Sequence, residues 1–334
     1  MDNMLTSGFI GRKLRLVIRG TSHSPQLDFT FSGLPSGLVF DKDELARFMK
    51  RRAPGRDKFS SARREADKVE FVSGESGGVV TEKKIRGIIA NTDIRPRDYE
   101  PMKRVPRPGH ADYAQYVRFG RILPGGGNNS GRLTAALCAA GGICLQFLEK
   151  RGITIKAKLK ECGGNARNPQ AEILMAKSEG DSVGGLIACE IKGMPPGIGG
   201  ALFGGLDGAI SAAVFAIPGV KGIEFGSGFA AARMRGSENN DPFLMKNGKV
   251  VTLTNNHGGI LGGYSSGMPI VFRVAMKPTP SIAKRQASVD LVTMKRAVLE
   301  IGGRHDPCIA HRAVPAVEAV AALALADAIL AEKK

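Results

Sequence analysis

Apolar and polar residues alternate along several short stretches of the chain, which is the pattern of half-buried β-strands. The clearest example is KLRLVIR at residues 13–19, and the pattern returns at residues 27–31 after a break at 20–26. Similar runs predict strands at residues 68–72, 84–90, 153–159, 183–191 and 222–225, and one more before the Lys-Pro-Thr turn at 277–279. A loop large enough for a site therefore separates the first two strands.

Apolar residues spaced three and four apart predict helices between these strands. Asp41, with Glu44 three residues later, resembles a capping box, and the helix that it begins should end before Pro54. Further helices are expected at residues 134–151, 169–179, 206–217, 289–301 and 314–331. The helix at 134–151 is apolar enough to be buried on most sides, and the one at 314–331 should close the fold. The pattern alone predicts a mixed α and β chain.

The chain has 334 residues, yet no linker divides it, so we expect a single domain spanning residues 1–334. A helix, a Val-Lys-Gly turn and a strand in the second half resemble the helix and strand at residues 134–159, which suggests a loose internal duplication. Between the strand at 84–90 and Gly127 the sequence predicts one long irregular segment. A loop of that length is usually functional or disordered.

Composition indicates an aliphatic core and an anionic partner. Hydrophobic residues make up 43% of the chain, which has 44 glycines and no tryptophan, and the formal net charge is +17. This charge fits nucleic acid, phosphorylated metabolites or anionic membranes. The N-terminus has no apolar run of signal-peptide length, and five scattered cysteines lack CxxC spacing. We therefore expect a soluble cytoplasmic protein without a disulfide framework or zinc site.

One stretch combines several features of a functional site. Residues 106–134 read PRPGHADYAQYVRFGRILPGGGNNSGRLT. His110 stands near Asp112 in a Pro/Gly-rich loop, where a carboxylate can hold an imidazole that carries a proton. The triple glycine allows close approach of backbone to a ligand, and Asn129 or Ser130 can cap the following helix, whose start favours anions. The alternative is a glycine-rich turn before a buried helix, with His110 making a structural hydrogen bond.

Two further loops, GTSHS (20–24) and GRHDPC (303–308), also contain a histidine among turn residues. Loops on a rigid scaffold often carry catalytic groups, although each histidine has a structural alternative, and His311 is interpreted as surface or structural. Residues 47–64 hold eight basic side chains and one acidic one. This cluster fits a phosphate clamp, a solvated face or a nucleic-acid surface, although only Phe48 and Phe59 interleave with the charges. No spacing indicates a metal site or a serine hydrolase elbow.

Seven short motifs together resemble the chorismate synthase family. They are RRAPGR (51–56), RPGHADY (107–113), GGG (125–127) with SGRLT (130–134), VKGIEFG (220–226), GGILGG (258–263), KPT (277–279) and GRHDPC (303–308). Each motif is weak alone, whereas seven in the family's order are specific. The resemblance covers about residues 8 to 330.

The resemblance implies an α+β fold in which a helical layer is sandwiched between two antiparallel β-sheets, and a homotetramer. It also implies a carbon–oxygen lyase of the shikimate pathway, on the route to aromatic amino acids. That family converts 5-enolpyruvylshikimate 3-phosphate to chorismate and phosphate by 1,4-anti elimination, which needs reduced FMN without net redox change. NADPH is the candidate reductant of the flavin, and no added domain suggests that the chain reduces it itself. An anionic substrate agrees with the net charge of +17, without nucleic acid or membrane as partner.

Matching positions imply the site residues. The expected catalytic groups are His23 at the leaving phosphate, His110 at the flavin N1 region and Asp306 as a relay for a proton from flavin N5. The side chains expected at phosphate or carboxylate groups are Arg52, Arg56, Arg132 and Arg304, with Lys58 as a weaker candidate. The flavin is expected against Asn128, Asn129, Ser130, Gly219, Gly262, Lys277, Pro278, Thr279, Pro280, Ser281 and Arg304, and no metal is expected.

Two departures from the family pattern bear on activity. The family usually has Gly-Glu-Ser-His-Gly around the first histidine, where this chain has Thr21 and Ser24 in place of the glutamate and second glycine. A lost carboxylate would lower the pKa of His23. Near the flavin, Asn128 to Thr134 replaces the commoner Arg-Ser-Ser-Ala-Arg-Glu-Thr and resembles one branch of the family. The alternatives are a non-catalytic paralogue that binds flavin or an anionic metabolite, and a basic nucleic-acid-binding protein with steep salt dependence.

Overall fold

The computed structural model describes residues 6–61, 63–93, 101–302 and 305–332. The helices are α1 (Lys42–Arg52), α2 (Asp112–Phe119), α3 (Thr134–Glu149), α4 (Pro169–Ser178), α5 (Leu206–Phe215), α6 (Gly236–Asn239) and α7 (Ile309–Ala331). The strands are β1 (Thr6–Ile10), β2 (Arg15–Arg19), β3 (Gln26–Ser32), β4 (Val69–Ser73), β5 (Glu75–Ser76), β6 (Val79–Val80), β7 (Lys84–Ala90), β8 (Thr154–Cys162), β9 (Gly185–Lys192), β10 (Val220–Phe225), β11 (Phe243–Lys246), β12 (Lys249–Thr252), β13 (Ile260–Leu261), β14 (Tyr264–Ser265), β15 (Ile270–Met276), β16 (Gln286–Asp290) and β17 (Lys295–Leu299).

Two antiparallel sheets form the outer layers. The first has the strand order β1-β2-β3-β7-β4, and the second has the order β10-β15-β9-β8. Helix α3 packs against α7 and contacts β3 of the first sheet and β8 of the second, while α7 packs on β8 and β9. The predicted sandwich of helices between two antiparallel sheets is confirmed.

Alternation along the strands sets which face of each sheet meets the helices. In β3, Leu27, Phe29 and Phe31 are buried, and the residues between them are half-buried. In β15, Ile270 and every second residue after it are buried in the same way. Side chains in a strand point to alternate faces, so one face of each sheet forms the aliphatic core. The seven strands that alternation predicted up to residue 225 are all present. The strand predicted before the Lys-Pro-Thr turn at 277–279 is also present, as β15.

Helices α3 and α7 form the interior of the helical layer. The spans Gly131–Glu149 and Ile309–Ala331 are long and apolar enough to cross a membrane, but most of each is buried inside the protein. A Cβ atom on Gly141 would lie 2.5 Å from the backbone of Ala319. Glycine at this point therefore permits close contact of the two helices, and the burial predicted for the helix at 134–151 is confirmed.

Two carboxylates fix α7 to the surrounding layers. Glu318 accepts two hydrogen bonds from Arg51 of α1, at 2.7 and 3.0 Å, and one from the backbone N–H of Ala157 at 2.8 Å. Asp327 accepts the consecutive backbone N–H groups of Arg12, Lys13 and Leu14 at 2.7 to 2.8 Å. Both side chains are buried, so these bonds to charged acceptors orient the helix between the sheets.

The two sheets repeat one order of elements. Strands β2-β3-β7-β4 correspond in position to β8-β9-β15-β10, and a short hairpin precedes the third strand of each set. Isolated bridges Val39–Val79 and Gly199–Tyr264 connect that hairpin to the loop after β3 and β9. Such a repeat is what duplication of one unit would leave, and the internal duplication stays a proposal.

The helix predicted at residues 289–301 is wrong. Strands β16 and β17 pair there as an antiparallel hairpin, with Gln286 opposite Leu299 and Asp290 opposite Lys295. The Asp290 carboxylate accepts the backbone N–H groups of Val292 and Thr293, at 2.8 and 3.0 Å, and so closes the turn. A side chain that bonds to the next residues of its own loop competes with helix formation.

The segment predicted to be irregular between residues 91 and 127 contains a helix. Helix α2 ends at Gly120, which has φ +68° and whose N–H donates to Tyr116 O. Residues 94–100 of the segment lie outside the described ranges. The last helix begins at Ile309, five residues before the predicted start at Val314, and contains Pro315. All five cysteines lie in the described ranges, where they are buried and free.

Candidate functional site

The triple glycine brings His23 and His110 to one loop. Gly125, Gly126 and Gly127 all have positive φ, at +60°, +85° and +55°. A Cβ atom on Gly125 would lie 2.3 Å from His23 Cε1, and one on Gly126 would lie 3.0 Å from His110 Cε1 and Nε2. Neighbouring Cα atoms are about 3.8 Å apart, so the two imidazoles, 87 residues apart by number, flank adjacent residues. Glycine is needed here both for the backbone conformation and for the contact.

His23 is held at the centre of a turn between β2 and β3. Its Nδ1 lies 3.0 Å from Ser22 Oγ, which is also 3.3 Å from the carbonyl oxygens of Pro124 and Gly125. The Thr21 hydroxyl accepts the backbone N–H groups of His23 and Ser24, at 3.3 and 3.1 Å, and Ser24 Oγ accepts the N–H of Thr21 at 2.9 Å. Thr21 and Ser24 therefore stabilise the turn with bonds that need no carboxylate.

His110 is held by a carboxylate and a buried arginine. Its Nδ1 lies 2.6 Å from Asp112 Oδ1, and the side chain of Arg107 donates to both Asp112 oxygens at 2.7 Å. The partner predicted for the imidazole is thus confirmed. Burial lowers the pKa of His110, and Arg107 and Lys277 lower it further, although Asp112 opposes them. The imidazole is therefore held neutral near pH 7 unless an added negative charge approaches.

Arg52 and Arg132 share one buried carboxylate. Arg52 Nη1 donates to Asp67 Oδ2 at 2.6 Å, and Arg132 Nη1 donates to Asp67 Oδ1. Arg52 also donates to Thr134 Oγ1 and Gly131 O, and Arg132 to Ala90 O. Only 2% of Arg52 and 4% of Arg132 is exposed. These guanidinium groups support the loop beneath the histidines, and their contact with substrate stays a prediction.

Asp306 joins three parts of the site. Its Oδ1 accepts the backbone N–H of Ser61 at 2.8 Å, and its Oδ2 accepts Arg312 Nη1 at 2.6 Å. Its carbonyl oxygen accepts the Thr279 hydroxyl at 2.7 Å. Both carboxylate oxygens therefore accept hydrogen bonds. The role of this residue in relaying a proton stays a prediction.

The rest of the basic segment surrounds the start of α7. Arg56 is exposed; its Nη2 lies 3.2 Å from His311 Nε2 and its Nε lies 3.2 Å from Asp57 Oδ2. His311 also lies 2.8 Å from Asp57 Oδ2 and packs edge-on against the ring of Phe59. This placement agrees with the structural interpretation of His311. Lys58 is exposed with its amine over the Phe59 ring, and Arg304 lies outside the described residues.

The predicted flavin residues divide between two places. Lys277 donates through Nζ to Gly109 O and through its backbone N–H to Gly219 O, and Ser281 Oγ accepts Arg107 Nη1 at 3.1 Å. Ser130 Oγ accepts the Arg132 N–H at 3.3 Å. These contacts join Gly219 and the 277–281 segment to the His110 loop, while Ser130 caps the turn that follows the triple glycine. Gly262, by contrast, lies in the β13–β14 turn, which contacts the 199–205 loop.

A cavity of about 800 Å³ opens beside His110. One wall is the loop at residues 106–110 with Tyr113, and the other is formed by β16 and β17. Its volume lies in the usual range for small-molecule sites. Within the described residues, no cluster of three or more His, Cys, Asp or Glu is placed to hold a metal ion.

Three buried residues of the site were missed by sequence reasoning. Arg107 and Asp67 pair with predicted groups, and the Asn91 amide bonds both to Arg132 and to the turn of His23. Arg107 stands within the singled-out stretch 106–134, so its motif contained a usable signal. Asp67 and Asn91 stand next to the ends of predicted strands. Only their contacts with residues distant in sequence show that they belong to the site. His257 lies apart, between Asp241 and Ser266.

Comparison with known proteins identifies the family. The family model described as chorismate synthase matches residues 14–330. Chorismate synthases of Korarchaeum cryptofilum and Archaeoglobus fulgidus are 42% and 43% identical to this chain, each match covering 96% of the chain and 96% of the relative. A solved structure titled "Crystal Structure of Chorismate Synthase" has a TM-score of 0.74 and 26% identity over 96% of this chain and 93% of that one. The chain therefore belongs to the chorismate synthase family.

Proposed function

We propose that this protein is a carbon–oxygen lyase that converts 5-enolpyruvylshikimate 3-phosphate to chorismate and phosphate with reduced FMN. The observation that supports this most directly is the placing of His23 and His110 against adjacent glycines, in a chain whose relatives are chorismate synthases. Elimination of phosphate is faster when the leaving oxygen receives a proton. Two imidazoles beside one backbone loop can hold such protons at separate points.

The charges around His110 fit a flavin phosphate or another anion. Burial, Lys221 and Arg107 lower the pKa of Lys277, and Arg107 and Lys277 act likewise on His110. The site therefore holds more positive charge than its carboxylates balance, and a bound anion would relieve this repulsion. Lys277, Thr279, Ser281, Ser130, Asn128 and Asn129 are the side chains proposed to hold FMN. When bound, reduced FMN supplies the electron-rich ring that this elimination requires.

The residues of this chain supply positions and protons. We assign His23 to the leaving phosphate by the resemblance to the family, and the Ser22 hydroxyl, 3.0 Å from Nδ1, fixes the orientation of its ring. A bound anion would offset the positive charges of Arg107 and Lys277, which lower the pKa of His110, and would so favour its protonated form. Arg56 is exposed and suited to an anionic group, whereas Arg52 and Arg132 hold the loop from beneath.

The reading as a non-catalytic paralogue rested on Thr21 and Ser24. In the structure the Thr21 hydroxyl accepts two backbone N–H groups of the turn, so the turn is stabilised here without a carboxylate. Identity of 42% over nearly the whole length also favours a working enzyme. The alternative is therefore not favoured.

An anaerobic assay with reduced FMN and the phosphate substrate should show phosphate release by the wild-type chain and none with oxidised FMN. His23→Gln should lower turnover by about 10²- to 10⁴-fold, the usual contribution of a general acid, while flavin binding persists. Flavin fluorescence titration provides the binding control.

Absence of phosphate release from a wild-type chain that binds reduced FMN would contradict the proposal. In that case Thr21→Glu with Ser24→Gly tests the paralogue directly, because a large gain in turnover would identify lost activity. A chain that binds nucleic acid with steep salt dependence and has no saturable flavin site would instead support the second alternative.

We further propose a cytoplasmic homotetramer, with NADPH as the ultimate reductant of FMN. Large apolar side chains stand exposed at Leu202, Phe203, Phe229 and Phe243, and Phe203 is fully exposed. Contiguous exposed apolar surface marks sites of protein contact, and Leu202 and Phe203 are adjacent in the chain. Sedimentation at micromolar concentration should give about four chains of 35.3 kDa, and Phe203→Asp should shift the distribution to smaller species. A wild-type monomer would refute the assembly.

A further inference from the structure

Asn91 follows β7 directly and connects the two halves of the candidate site. Its backbone N–H donates to Pro25 O at 2.8 Å, continuing the pairing of β7 with β3. Only 7% of the residue is exposed. Its side chain therefore cannot exchange its partners for water without opening the sheet end.

The amide nitrogen of Asn91 binds both ends of the turn that carries His23. Nδ2 donates to Thr21 O at 3.2 Å and to Ser24 O at 2.7 Å. Thr21 and Ser24 are the first and last residues of this turn, and His23 stands between them. The two hydrogens of one amide thus fix the ends of a turn whose centre is the proposed acid.

The amide oxygen of Asn91 binds the arginine beneath the glycine loop. Arg132 Nε donates to Asn91 Oδ1 at 2.6 Å, and Arg132 is itself fixed by Asp67 and by the carbonyl of Ala90. The partners determine the orientation of the amide, since two carbonyls require donors and a guanidinium requires an acceptor. Among side chains of this size, asparagine alone provides both.

From these contacts we propose that Asn91 is a positioning residue for His23, coupling the turn of the proton donor to the buried Asp67–Arg132 pair. The expected loss of turnover rests on the proposed function, whereas the expected displacement of His23 does not. Gly125 lies against the imidazole, and Asn91 holds the turn that carries it. A displacement of the imidazole by about 1 Å can lower the rate of a positioned reaction by about 10²-fold.

Asn91→Ala should lower phosphate release by roughly 10- to 100-fold, mainly in kcat. In spectra of histidine labelled with ¹⁵N and ¹³C, it should also shift the His23 resonances and their titration. The His110 resonances should stay unchanged, because Asp112 and Arg107 hold that ring independently. Asn91→Asp is the isosteric test, because it keeps an acceptor for Arg132 and places an oxygen against two carbonyl oxygens. This variant should shift the same His23 resonances, and it takes the place of the alanine variant in the test if that variant does not fold.

Gln146→Ala provides a matched control. Gln146 is another buried amide that uses both its groups, accepting the Asp41 N–H at 2.7 Å and donating to Asp41 O at 2.9 Å. It is 5% exposed and lies on α3 at the start of α1, away from the histidines. This substitution should lower the denaturation midpoint without changing the titration of His23.

His23 resonances and turnover that change no more in the Asn91 variants than in Gln146→Ala would overturn the proposal. If the wild-type chain releases no phosphate, the proposed function fails while the resonances still decide the role of Asn91. If His23 shifts but turnover does not, Asn91 positions the ring and the assignment of His23 as the acid is what fails.

Discussion

Gly125→Ala should lower the rate of phosphate release by about 10²-fold or more while the protein remains folded. The added Cβ would lie 2.3 Å from His23 Cε1 and 2.7 Å from both His23 Nδ1 and Ser22 Oγ. No Cβ occupies such a distance, so the imidazole must rotate away from its position. The backbone also has φ +60° at this residue, which costs alanine roughly 1 to 2 kcal/mol. Stopped assays of phosphate release and a urea titration measure the two effects separately.

Gly120→Ala separates the contact from the backbone strain. Gly120 has a similar φ of +68°, and a Cβ there would meet nothing within 4 Å. This variant should lose comparable stability and keep wild-type turnover. Equal turnover of the Gly125 and Gly120 variants would contradict the assignment of the triple glycine to contact with the proton donor.

Periodicity was sufficient to predict individual strands where each had a buried face, whereas the sandwich arrangement came from the resemblance to the family. Leu27, Phe29 and Phe31 alternate because one face of β3 meets the helices, and that alternation is visible in the chain. The prediction failed at residues 289–301 because the β16–β17 hairpin stands outside the two sheets. Its apolar residues do not line the core between those sheets. Its turn depends on hydrogen bonds that the Asp290 side chain accepts from Val292 and Thr293, and hydrophobic periodicity does not reveal such bonds.

The candidate site was predictable to the extent that its groups lie in short motifs. His23, His110 and Asp306 each stand in a loop with turn residues, whereas the buried Asp67 and Asn91 behind these loops are distant from them in sequence. Asp67 is 15 residues from Arg52 and 65 residues from Arg132, and its importance arises from the two ion pairs. A carboxylate at the end of a charged segment carries no sign of such a partner until the fold places it.

Asp67→Asn should destabilise the folded protein by about 3 to 5 kcal/mol, the usual cost of breaking a buried ion pair. Two buried guanidinium groups would lose the one carboxylate that they share, and the side chain of Asp67 is fully buried. Asparagine has the same shape and tolerates the φ of +50° at this position, so the loss reports charge and hydrogen bonding. Urea denaturation at pH 7 measures the difference in free energy of unfolding. Asp181→Asn, which breaks an exposed pair with Lys284, should cost no more than about 1 kcal/mol.

The difference between wild type and Asp67→Asn should depend on pH in one direction. Burial alone would raise the pKa of Asp67, but Arg52 and Arg132 outweigh it and lower the pKa below the ordinary value of 3.8. A folded pKa below the unfolded one means that the carboxylate stabilises the protein fully above about pH 4 and loses this effect as pH falls through the folded pKa. The difference in free energy of unfolding between wild type and Asp67→Asn should therefore be constant from pH 7 to about pH 5 and shrink in stronger acid. A gap below 1 kcal/mol at pH 7, or one that widens as the pH falls, would show that the two arginines do not depend on Asp67. The loop beneath His23 and His110 would then need another anchor.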